Sequence, residues 1–121
     1  MGDFRFGKEQ RLLTAQDYRK VFEQADAKAS HKHLLLLASR NQLTNHRLGL
    51  VIAKKHVRLA VNRNRIKRIA REVARTSPQS SPHMDVILLA RPGMDRIDNL
   101  ELSAILRQQW QKLSEKLCAQ S

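Results

Sequence analysis

The chain is short of cysteine, of long apolar runs, of acids and of any arrangement of side chains that could run chemistry. Its 121 residues include one cysteine, Cys118. No internal disulfide can form, and the chain reads as cytoplasmic. No apolar run reaches the roughly 18 residues that a bilayer-spanning helix needs, so no membrane partner is expected. The opening MGDFRFGKEQ has no apolar core of a secretory signal, and Phe6 stands where a myristoylation signal has Ser or Thr. His31, His33, His46, His56 and His83 make no zinc-like spacing with Cys118. Asp95 and Asp98 flank a loop, without the converging carboxylates of a two-metal nuclease. Asp98 is better explained as a helix cap. No Ser-His-Asp or Cys-His pattern can be argued from spacing, so no catalytic residue and no metal ligand is expected on the polypeptide. There are no internal repeats and no low-complexity segment.

What is present in excess is positive charge. The chain has 23 Lys and Arg against 11 Asp and Glu, a net charge of +12. Two thirds of that excess lies in KKHVRLAVNRNRIKRIAREVAR, residues 54–75, whose one acid is Glu72. A surface of such uniform sign is expected to face a polyanion, either nucleic acid or an anionic membrane. The length suits one domain over residues 1–121, with 1–10 and 117–121 as tails, and 41% hydrophobic content suffices for one modest core.

Periodicity divides the chain into elements. LLTAQDYRKVFEQA opens a helix: Thr14 is its N-cap, Asp17 stands at N3, and Leu13 and Tyr18 occupy the positions of a hydrophobic staple. Tyr18, Val21, Phe22 and Ala25 share one face. HLLLLASR, 33–40, and RLGLVIAKK, 47–55, read as strands, and the turn chemistry of RNQLTNH predicts that they pair as an antiparallel hairpin. MDVILLAR, 84–91, is a third strand between the loops TSPQSSPH and RPGMDRIDN. A last helix starts near Asp98, capped by Asp98 with Glu101, and Leu102, Leu106, Trp110, Leu113 and Leu117 form its apolar stripe, with Trp110 in the core. The order predicts an α+β layer sandwich.

The basic stretch is itself an amphipathic helix. On a wheel of about 100° per residue, Leu59, Ile66, Ile69, Ala70 and Val73 fall in one arc suited to packing on a sheet. Asn64, Arg65, Lys67, Arg68, Arg71 and Arg75 point the other way, and Arg63 lies on the border. Arg outnumbers Lys on this face, and its planar fork suits bidentate phosphate contact, which favours nucleic acid over membrane. The arc is needed for the core and is not free to enter lipid. Truncating Ile66 is expected to cost about 2–5 kcal/mol of stability. Truncating the outward Arg65 is expected to cost less than about 0.5 kcal/mol.

AVNRNRIKRIARE, 60–72, resembles the signature of the bacterial ribonuclease P protein subunit, whose Arg-Asn-Arg is here Arg63-Asn64-Arg65. RLLTAQDYRKVF, RLGLVIAKKHV and MDVILLAR resemble the blocks around it, in the family's order, over residues 6 to about 115. The resemblance implies a two-layer α-β sandwich with a small mixed sheet and a left-handed β-α-β crossover, like the second domain of ribosomal protein S5. It implies a protein that binds the catalytic ribonuclease P RNA and the 5′ leader of precursor tRNA, with no obligatory protein partner. The RNA would perform the hydrolysis with Mg²⁺ as cofactor. The implied RNA-binding residues are Lys54, Lys55, Arg58, Arg63, Asn64, Arg65, Lys67, Arg68 and Arg71. Tyr18, Phe22 and, by position, Leu36 are the implied leader cleft. Two positions depart from the family pattern: Arg58 stands where many relatives have Gly, and Leu36 where some have an aromatic. The rival readings are a ribosomal-type RNA-binding protein without a processing role and a protein-only metal nuclease.

Overall fold

Thr14 opens the first helix with a complete capping box. Its hydroxyl accepts the Asp17 N–H at 3.0 Å, and the Asp17 carboxylate accepts the Thr14 N–H at 3.3 Å. The computed structural model describes residues 10–43, 45–77 and 83–119. Helix α1 spans Ala15–Glu23, and strands β1, β2 and β3 span Ala27–His31, Leu34–Arg40 and Arg47–Val51. Helix α2 spans Ala60–Thr76 and strand β4 Met84–Ala90. A 3-10 turn at Met94–Arg96 leads into helix α3, Asn99–Ala119.

The four strands form one mixed sheet in the order β1-β2-β4-β3. β2 pairs antiparallel with β1 and with β4, and β3 runs parallel to β4. The hairpin expected between 33–40 and 47–55 therefore does not form, because β4 lies between its two strands. β4 is buried along almost its whole length, and a strand apolar on both faces belongs in a sheet's interior. β3 takes the edge and ends at Val51. The hairpin that does form joins β2 to β1, whose sequence AKASH shows no large apolar residue. Ala27 and Ala29 tuck under α3 while Lys28 and Ser30 face solvent.

Alternation along the strands sorts the core. Leu34, Leu36 and Ala38 of β2, Leu48 of β3, and Val86, Leu88 and Ala90 of β4 face α2 and α3. There they meet Ile66, Ala70 and Val73 of α2 and the full predicted stripe of α3, including Trp110. Ile87 faces the other way and packs with Leu12, Val21 of α1, Leu37 and Leu89. The architecture is α+β as expected, with fuller layering than a two-layer sandwich because α1 covers part of the second face. The expected tail at 1–10 lies, apart from Gln10, outside the described residues, as do 120 and 121. Residues 117–119 continue α3, and Leu117 is fully buried.

Two smaller expectations change. Leu59 is the extended N-cap of α2 (ψ 133°) and sits outside the helical phase, so it is exposed and not in the core arc. Leu13 is exposed as well, while Tyr18 turns its hydroxyl toward the Leu50 N–H of the sheet.

Candidate RNA interface

The crossover from β3 through α2 to β4 sets α2 on the sheet by Ile66, Ala70 and Val73, all nearly or fully buried. Its other side carries the charge. Asn64 and Arg68 are exposed, and Arg63, Arg65, Lys67 and Arg71 are half-buried. Just before the helix, Ala53 O accepts the N–H groups of His56 and Val57, each at 3.0 Å. Val57 is fully buried and anchors this turn, leaving Lys54, Lys55 and Arg58 exposed beside α2. Glu72 pairs with Arg75, which holds its carboxyl below the usual value.

The two arginines of Arg63-Asn64-Arg65 are used differently from the wheel's expectation. Arg63 Nη1 donates to the carbonyls of Val57 at 3.0 Å and Arg58 at 2.8 Å. Arg65 Nη1 donates to Ile97 O and Asn99 Oδ1, each at 2.9 Å, and its Nη2 donates to Asp95 O at 3.0 Å. Arg65 does not simply point into solvent. The wheel gave its direction relative to the sheet, and could not show that the loop between β4 and α3 folds back beneath it.

On the other face of the sheet, α1 presents Tyr18 and Phe22. The Tyr18 hydroxyl accepts the Leu50 N–H at 3.3 Å, satisfying a backbone donor of edge strand β3. Its ring lies on Gly49, where an added Cβ would stand 2.7 Å from Tyr18 Cε2. Phe22, one turn on, is 46% exposed. Beside Tyr18, Leu37, Val51 and Leu89 are half-buried and form an apolar floor. Leu36 is not part of it. At 1% exposure it lies in the main core under α2 and α3, because neighbouring residues on a strand face opposite ways. Leu37 takes the place expected of Leu36, and four successive leucines give no alternation from which the face could be read.

The two surfaces meet at the outer edge of β3. Arg11 bridges to Leu48 there, and Arg71 reaches the same region from α2. Burial first, and then the Arg11 charge, hold Arg71 below the ordinary guanidinium value, while Tyr18 acts in the opposite direction. Arg11 carried no signal of its own in the sequence. It precedes the first helix as one base among many.

The model of the ribonuclease P family matches residues 6–114. The chain belongs to the ribonuclease P protein family. Curated ribonuclease P protein components resemble it along most of their length. That of Chromohalobacter salexigens is 46% identical over 100% of this chain and 94% of its own. That of Marinobacter nauticus is 44% identical over 92% of this chain and 83% of its own. Among solved structures, a Staphylococcus aureus RNase P protein mutant with defective mRNA degradation activity superposes with a TM-score of 0.80 at 22% identity, covering 88% of this chain and 90% of that one. The Thermotoga maritima RNase P protein gives 0.63 at 24% identity, covering 81% and 96%. At these identities the structural likeness speaks for the fold.

In this chain two of the described acidic side chains, Asp85 and Asp17, are tied into the scaffold. Asp85, 2% exposed, accepts Arg47 Nε at 2.8 Å and Nη2 at 2.7 Å, and also Asn41 Nδ2 at 2.7 Å. Arg47 in turn stands 3.7 Å from Asp17. Burial works to raise the Asp17 pKa, but the backbone N–H groups of Thr14 and Leu13 and the charge of Arg47 together bring it below its usual value. Among the described residues no three His, Cys, Asp or Glu side chains converge as a metal site.

Proposed function

We propose that this chain acts as the protein component of ribonuclease P, with a different RNA partner on each face of its sheet. The ribonuclease P RNA lies along α2 and the turn at 53–58, against Lys54, Lys55, Arg58, Asn64, Lys67 and Arg68. The single-stranded 5′ leader of precursor tRNA lies along α1, over Tyr18 and Phe22. The protein supplies charge neutralisation and positioning, and the leader is removed to leave the mature tRNA 5′ end. In this reading the RNA carries the hydrolysis and its Mg²⁺, and no step is assigned to a side chain.

The observation that carries the reading is the placement, in a chain of this family, of Tyr18 on a half-buried apolar floor with the exposed Phe22 one turn on, across the sheet from a helix face rich in cations. Cations alone would hold any RNA through its phosphates. An aromatic platform adds stacking, which suits unpaired bases and tolerates any sequence. The test is reconstitution of the protein with a bacterial ribonuclease P RNA, precursor tRNA and low Mg²⁺. Cleavage that depends on the RNA subunit and is enhanced by the protein is expected. Cleavage without the RNA subunit would point to a protein-only nuclease, and binding without enhancement to a ribosomal-type RNA-binding protein.

A further inference from the structure

We infer that Arg63 and Arg65 are positioning residues, which brace two cation-bearing loops against α2 and leave phosphate contact to the cations those loops and the exposed helix face present. The inference rests on the reading of α2 as the face for the ribonuclease P RNA. The two side chains leave the helix in different directions. Arg63 reaches back to the entry turn and donates to the last two carbonyls before the N-cap, those of Val57 and Arg58. That N-cap is Leu59, which makes no side-chain cap hydrogen bond, and the Arg63 guanidinium ties turn to helix by donating to the two turn carbonyls. Arg65 reaches across to the connection between β4 and α3 and meets three acceptors there, at Asp95, Ile97 and Asn99.

Both loops carry exposed cations: Lys54, Lys55 and Arg58 on one, Arg96 on the other. With Asn64 and Arg68 exposed on the helix between them, the braced loops widen a single helix face into a broad basic surface. Arg96, three residues before Asn99, becomes an RNA contact that neither periodicity nor the family signature indicated. The brace also explains why Arg stands at position 65. One planar fork can serve three fixed acceptors on a loop, and an ammonium on a flexible stem cannot hold the same set in one plane.

Salt dependence separates a brace from a contact. Each phosphate neutralised contributes roughly 0.7–0.9 to the slope of log affinity against log salt, and a residue that only positions others contributes nothing. Binding of a bacterial ribonuclease P RNA is measured across a salt series, well below the melting temperature of every variant. Arg68→Ala and Arg96→Ala should each flatten the slope by up to about one unit. Arg65→Ala should weaken binding roughly tenfold, the scale of one charge-assisted hydrogen bond, with the slope unchanged. Asn99→Ala removes one of the three acceptors and threatens the fold least. It should weaken binding a few-fold with no change of slope, and the pair Arg65→Ala with Asn99→Ala should be no weaker than Arg65→Ala alone. A flattened slope in Arg65→Ala would make it a phosphate contact and overturn the inference. Unchanged affinity in both Arg65→Ala and Asn99→Ala, with the proteins folded, would reduce the brace to a local structural bond and overturn it equally. If Arg68→Ala and Lys54→Ala also leave affinity and slope untouched, the reading of α2 as the RNA face falls, and the brace with it.

Discussion

Gly49 holds the place of an aromatic ring, and two single-residue predictions follow from side chains as closely fitted as this one. A methyl group at position 49 would stand 2.7–2.9 Å from the Tyr18 ring and hydroxyl. The backbone there is ordinary extended strand, so the obstacle is the ring alone. Gly49→Ala should push Tyr18 aside, cost about 1–3 kcal/mol as overpacking does, and break the hydrogen bond to Leu50. A thermal melt reads the first effect, and tyrosine fluorescence on adding a single-stranded leader oligonucleotide reads the second. A variant as stable as the parent would mean that the ring has room to spare. The second prediction compares neighbours on α2. Ile66 is fully buried, and Ile66→Ala should cost about 2–5 kcal/mol. Arg65 now counts as a fastened residue. Its loss leaves three acceptors without their charged donor, and Arg65→Ala should cost about 1–3 kcal/mol, more than an outward-pointing residue would. Parallel melts of the two variants check the order and both sizes.

At the scale of elements, what could be read from the sequence depended on whether one surface alone set the pattern. α1, α2 and α3 each bury one stripe, so Val21, Ile66 and the stripe from Leu102 to Leu117 were legible from spacing, as were the caps at Thr14 and Asp98. The basic face was legible for the same reason. Strand partnership was not, because it is decided by distant chain. β4 separates β2 from β3, and the signal for this, a strand apolar on both faces, fixes where β4 lies without naming its neighbours. β1 was silent because two alanines suffice under α3. Arg65 misled because helix phase says nothing of a loop 30 residues away. The Arg47–Asp85 pair shows the same limit: one buried carboxylate joins β3, β4 and the segment after β2, yet neither residue stands out in sequence. Asp85→Ala removes three hydrogen bonds to a buried carboxylate but leaves Arg47 partly exposed and beside Asp17, so it should cost about 1.5–3 kcal/mol. Urea unfolding measures it. A loss below about 1 kcal/mol would place this pair with surface ion pairs.

At the scale of the whole molecule, the proposed function sets two kinds of RNA recognition on opposite sides of the sheet, and this can be tested by choice of substrate. The α2 side offers charge and the α1 side offers aromatic faces. A leader is single-stranded next to the cleavage site, so its bases are free to stack, while the body of a mature tRNA presents mainly phosphates. Stacking on an aromatic is worth about 1–3 kcal/mol per base. With Phe22 at 46% exposure, and Tyr18 half-buried and held by Leu50, Phe22 should carry more of this contact. Phe22→Ala in the reconstituted holoenzyme should weaken affinity for precursor tRNA by roughly ten- to a hundredfold, at about 1.4 kcal/mol per decade. Affinity for mature tRNA should barely move. Tyr18→Ala should follow in direction but also lower the melting temperature, because the hydroxyl serves the Leu50 N–H. Phe22 is exposed, so its removal should leave the fold intact, and the comparison of the two substrates rests on that variant. Equal loss for precursor and mature tRNA would mean that the α1 side binds tRNA generally. Loss for neither would leave Phe22 as a surface residue of α1 and move the leader elsewhere on the sheet.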